Sequence, residues 1–189
     1  MQKPKITLRR FLFVFLLVFM VVFIVLFITY TPKEIIKTLG VRNSFVVAYF
    51  VSLVGAFTSL TKFSAYPMII ALVAGQMNPF LVGFIAGLGL ASGDLLFFVF
   101  GDSARVLTTK QGEKTLNRLL AKIEQVKGIF VQGFIFLYVA GSPFPNNLLS
   151  GALAFTGYPF RKVALPLIMG DIAFCTLIAW LAFQGIEVF

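Results

Sequence analysis

Apolar and charged positions fall along this chain in long blocks. Residues 11–28 carry no charge and follow Lys3, Lys5, Arg9 and Arg10. At ~1.5 Å per residue they just cover a hydrocarbon core of about 30 Å. A basic start before an apolar run also suits a signal peptide. This run is longer than an ordinary signal core, however, and no small-residue cleavage site follows it. Tyr30, Thr31 and Pro32 close it as a membrane interface would, so a retained helix is expected. A polar link over 31–44 follows, with Lys33, Glu34, Lys37 and Arg42.

Two short apolar arms come next, 45–60 and 68–77, separated by a break at 61–67 that holds Lys62 and Pro67. Neither spans a bilayer comfortably, and together they read as a re-entrant hairpin over 45–79. Irregular backbone at that depth is tolerated only inside protein or beside a watery cavity. A full-length span over 80–100 follows, carrying Gly83, Gly87, Gly89, Gly93 and Asp94. Such glycines let neighbouring backbones approach closely. The segment 101–128 is the most polar, with six basic and three acidic residues. Within it Leu116, Leu119, Leu120, Ile123 and Val126 recur at helical spacing, which predicts an amphipathic surface helix opened by Glu113 and closed by Lys127 and Gly128. A second short arm begins at 129, breaks at 141–147 with Pro143, Pro145, Asn146 and Asn147, and returns to form a hairpin over 129–158. Arg161 and Lys162 then precede a last span within 160–186, carrying Asp171.

The two parts share a plan: a hairpin, a Pro-Phe pair (Pro79-Phe80, Pro159-Phe160), and a span with Gly-Asp (Gly93-Asp94, Gly170-Asp171). The excess of basic residues at the N-terminus and in 101–128 puts both in the cytoplasm. The two units are then oppositely oriented, as in many transporters. The expected fold is an all-α integral membrane protein: an inverted repeat of two re-entrant hairpins, each followed by a transmembrane helix. An N-terminal transmembrane helix within 1–44 and a cytoplasmic amphipathic helix complete it, and the repeat domain occupies 45–186.

Composition sharpens this. The chain of 189 residues is 59% hydrophobic and only 12% charged, more apolar surface than a soluble fold of this size can hide. There is no histidine, which removes Ser-His-Asp and Cys-His catalysis and the usual zinc sites. The lone Cys175 allows no intrachain disulfide and reads as packing. The glycines of 83–93 match neither nucleotide-binding pattern. No enzyme, cofactor or metal is expected. The net charge of +9 points to anionic headgroups rather than nucleic acid. Tyr30 and Trp180 suit interface anchors.

Charge at membrane depth costs between ~3 and more than 10 kcal/mol, so Lys62, Asp94 and Asp171 are candidate substrate-binding residues. Asn146 and Asn147 join them as donors and acceptors at a hairpin tip, or else cap the returning arm. Asp102, Arg105 and Arg161 are candidates for gating or headgroup contact, and Pro67, Pro143 and Pro145 for the hairpin turns.

The run 89–101 resembles the DedA superfamily, also called VTT-domain or SNARE-associated proteins, in Gly93, Asp94, Phe98 and Gly101. The run 142–146 looks like the Phe/Leu-Pro-Asn turn of the eukaryotic VTT scramblase branch, with Ser142 and Leu148 where bacterial members usually place arginines. The resemblance covers about 57–182 and implies lipid movement between leaflets, of phospholipid or of a polyprenyl phosphate. The expected partners are therefore membrane lipids in a plasma or inner membrane, and a homo-oligomer is left open. An ion-coupled exporter of small solutes, with Asp94 and Asp171 as proton sites, is the alternative. A membrane scaffold is a third class.

Overall fold

The computed structural model describes residue 18 and residues 44–56, 59–105, 110–142 and 146–187; of 59–64, 110, 186 and 187 it describes the backbone alone. The expected N-terminal helix over 11–28, Tyr30, Pro143, Pro145 and the Lys62 side chain lie outside the described residues. Within them the chain forms seven helices: α1 Ser44–Gly55, α2 Ser59–Ala74, α3 Pro79–Ala104, α4 Lys110–Gln125, α5 Gly128–Gly141, α6 Asn146–Thr156 and α7 Phe160–Glu187.

Two helices are long and apolar enough to cross a membrane, Pro79–Ala104 and Phe160–Gly185. Phe84, Leu165, Met169 and Leu177 stand exposed along them, as a helical membrane protein requires. α3 starts where Asn78 accepts hydrogen bonds from the Phe80 and Leu81 amides through Oδ1, at 3.0 and 3.2 Å. Pro79 then occupies the first helical turn, where its missing N–H costs nothing. By contrast α1, α5 and α6, with 12, 14 and 11 residues, reach only ~16–21 Å at ~1.5 Å per residue. None of the three crosses a bilayer core of about 30 Å.

α3 and α7 form the central pair, and glycines set their approach. A Cβ on Gly83 would meet the backbone of Thr176, and one on Gly87 would stand 2.5 Å from the Cα of Ile172. As numbers rise on α3 they fall on α7, so the two helices are antiparallel. Gly89 and Gly93 use the opposite face of α3, where Tyr49, Leu53 and Ala56 press in; there the numbers rise together, so α1 runs parallel to α3.

The core divides in two. One cluster joins α1 and α2 to Val82, Ala86 and Leu90 of α3 and to Cys175 and Ala179 of α7. The other joins α5 and α6 to Ala91 and Phe98 of α3 and to Val163 and Leu167 of α7. Each helix pair therefore packs at a different end of the antiparallel α3–α7 pair. In each pair the first arm packs on the span that follows it (α1 on α3, α5 on α7) and the second on the other span (α2 on α7, α6 on α3). Both second arms end alike. The Met77 and Gln76 amides bond back to the Leu72 and Val73 carbonyls, and the Tyr158 and Gly157 amides to those of Leu153 and Ala154. These are Schellman caps, with Gln76 (φ 62°) and Gly157 (φ 86°) in the left-handed region.

Several boundaries differ from the sequence expectation. Pro67 lies inside α2, not at a turn: the chain leaves α1 at Gly55 and begins α2 at Ser59. Its missing N–H leaves the Phe63 carbonyl without an intrahelical partner, which α2 absorbs mid-helix. Lys62 accordingly lies in the first turn of α2. Lys127 and Gly128 do not close α4; Lys127 is the N-cap of α5 and Gly128 its first residue. The amphipathic helix itself is present, with Glu113 in its first turn and Lys122 in its last. It bends 101° away from α5.

Candidate functional site

The hairpin tips converge near the middle of the long helices. Ala56, just past α1, packs against Gly93, and α3 continues for ~16 Å beyond that point. Val139, near the end of α5, packs against Gly170, with a Cβ there only 2.7 Å away. Each glycine thus makes room for a hairpin tip, and the next residue in each case is an aspartate.

Asp94 and Asp171 are both completely buried. The Asn146 carboxamide, at the first position of α6, donates from Nδ2 to Oδ1 of Asp171 at 2.9 Å. Its own Oδ1 accepts no hydrogen bond. Asn147 is equally buried but turns back on its own helix: its Oδ1 accepts from the Leu148 amide at 2.9 Å, and its carbonyl accepts from the Ser150 hydroxyl at 3.0 Å. Asn146 thus bonds across to the Asp171 carboxyl, while these two bonds of Asn147 stay within its own helix. Tyr66 of α2 comes in from the other hairpin. Its ring meets Phe174 edge-on at 5.6 Å, and the phenol lies within electrostatic reach of Cys175, Asp171 and Asp94. Sequence reasoning passed over Tyr66, which stood in a break beside Pro67 and carried no periodic signal. Its position beside the buried aspartates comes only from the packing of α2 on α7.

Asp102, Arg105 and Arg161 lie elsewhere. Arg105 caps the end of α3, donates from Nη2 to Oδ1 of Asn117 at 2.9 Å, and lays its guanidinium against Gly157. It ties α3, α4 and the α6–α7 turn together at one edge of the molecule, ~16 Å of helix from Asp94. Asp102 is half-buried one turn before it, and Arg161 is exposed in the first turn of α7. In the same α6–α7 turn, burial pushes the Tyr158 phenol above its ordinary range, with the Glu124 carboxylate adding to the shift. Lys162 lies over that ring, 5.8 Å from its centroid.

The candidate site is the bonded Asn146–Asp171 pair, with Tyr66 within electrostatic reach of it and of the buried Asp94, residues drawn from four helices. It can hold protons, hydrogen-bond a polar headgroup or complement a cation. Three surface grooves among the described residues, of about 610, 320 and 280 Å³, are apolar and are lined by other residues. Trp180, an expected interface anchor, lines the largest. Comparison of the chain with protein-family models, with curated proteins and with solved structures finds no match.

Proposed function

We propose that the chain is a membrane lipid transporter, in which two re-entrant hairpins of an inverted repeat meet at mid-membrane and offer a polar path to a headgroup. The observation that carries this reading is the paired termination of both hairpins halfway along α3 and α7, each beside a Gly-Asp pair. The alternation of partners, first arm on its own span and second arm on the other, is the pattern a two-fold relation between the units produces. Opposed hairpins shorten the hydrocarbon barrier from both sides, so a headgroup exchanges water for fixed dipoles over a short distance while its acyl chains stay in lipid. The likeness of residues 89–101 to the DedA superfamily supports the same reading.

The test is dithionite quenching of fluorescent phospholipid in vesicles containing the full chain. Wild type is expected to expose inner-leaflet dye without an applied gradient, and Asp94→Asn/Asp171→Asn to do so several-fold more slowly. Wild-type vesicles indistinguishable from protein-free ones, with tagged phospholipid and with a polyprenyl phosphate alike, rule this reading out. One observation favours the second reading, an ion-coupled small-solute exporter: both carboxyl groups are completely buried, which suits a proton better than a bulky headgroup. That reading expects transport to collapse with the proton gradient.

A further inference from the structure

The 101° bend between α4 and α5 leaves an apolar cleft of about 320 Å³ beneath α4. Ile123 and Val126 form its roof, Phe130, Val131 and Phe134 one wall, and Leu149 part of the other. This lies at the lower end of ligand-site volumes, ~300–1,000 Å³. Phe130 and Phe134 of its wall belong to a strongly exposed apolar face of α5 that also holds Ile129 and Leu137. Its upper rim is basic. Lys122 directly precedes Ile123 in the last turn of α4, with Arg118 one turn earlier, and Lys127 sits at the corner between α4 and α5. All three side chains are exposed, and among the described residues none carries an ion pair. Like charges one turn apart on a helix repel, and an anion between them relieves that.

We infer that this cleft binds an anionic phospholipid, one acyl chain lying along Val131 and Leu149 and the phosphate held by Lys122 and Lys127. The inference rests on the membrane reading, under which α5 runs into the bilayer and α4 lies along its surface. An extended peptide is a poor occupant, because its backbone N–H and C=O groups would meet only hydrocarbon there. An acyl chain has no such groups, and the basic rim selects the headgroup charge. The site is separate from the mid-span aspartates and is a standing lipid contact, not a step in translocation.

The test uses the full chain with Trp180→Phe and Phe130→Trp, which leaves a single tryptophan at the cleft mouth. The variant is reconstituted in phosphatidylcholine vesicles with small fractions of bromine-labelled phosphatidylglycerol or bromine-labelled phosphatidylcholine. The anionic lipid should quench at a mole fraction about tenfold lower at moderate salt. Adding Lys122→Gln and Lys127→Gln should bring the two lipids to within about twofold. Val131→Phe, which fills the cleft and leaves the charges, should abolish the preference too. Equal quenching by both lipids, or a preference that survives the lysine changes, overturns the inference. A preference that survives Val131→Phe also overturns it, by showing diffuse attraction to a basic surface without a site. The readout involves no transport, so failure of the scrambling reading and failure of this site are separate results.

Discussion

Asn146→Ala removes the donor that reaches Asp171 across 2.9 Å between α6 and α7. Both residues are buried, Asp171 completely and Asn146 to 4% exposure, so water cannot replace the lost bond cheaply. Neutral hydrogen bonds between membrane helices average ~0.6 kcal/mol in double-mutant cycles and reach ~1.7. A carboxylate acceptor roughly doubles the strength. Asn146→Ala should therefore cost about 2 kcal/mol. Asp171→Leu replaces the buried polar group with an apolar one along with the bond and should cost less than that. In the double variant little remains to lose, which gives a coupling of about 1–2 kcal/mol. Reversible unfolding of the full chain in mixed detergent–dodecyl sulfate micelles measures all four corners of the cycle. A coupling under about 0.5 kcal/mol, with both single variants folded, would refute the view that this bond fixes the second hairpin tip to the mid-span carboxylate.

Two further outcomes follow from the backbone. Gly87→Ala puts a methyl 2.5 Å from the Ile172 Cα, where only movement of a whole helix gives relief, and should cost ~1–3 kcal/mol in the same unfolding assay. Gly157→Ala introduces a side chain at φ 86° and against the Arg105 guanidinium, for ~1–2 kcal/mol, whereas Gln76→Ala should be nearly neutral because Gln76 already bears the left-handed φ of 62°.

The two spans were legible because length and hydropathy suffice for them: a charge-poor run of about twenty residues has few other fates. The amphipathic helix was legible because its apolar residues keep a helical period. The hairpin boundaries were not. Pro67 and the polar residues around Lys62 looked like a turn, yet α2 runs straight through them, and the change of direction falls in an apolar stretch that composition does not mark. Lys127 and Gly128 fitted the end of one helix and instead begin the next, since a basic residue before glycine serves either junction. Asp94 and Asp171 stood out because charge is rare at such depth. Asn146 as the specific partner of Asp171, and Tyr66 as a neighbour of both aspartates, depend on contacts between helices distant in sequence, which no local pattern encodes. The Asn78 cap was readable: an asparagine directly before proline at the head of an apolar run is a helix-start signal.

The exchange of second arms between spans has a consequence for how the chain is made. α6 emerges after its partner α3 and finds it waiting, but α2 precedes its partner α7 by about a hundred residues. At ~5–20 residues per second, α2 waits roughly 5–20 seconds before that wall arrives. During that interval Tyr66 lacks Phe174, and the α1–α2 pair is closed only by α3. A ribosome halted before residue 160 therefore leaves the α1–α2 pair half-sheltered. Defects anywhere in the last helix therefore leave the first helix pair short of one wall.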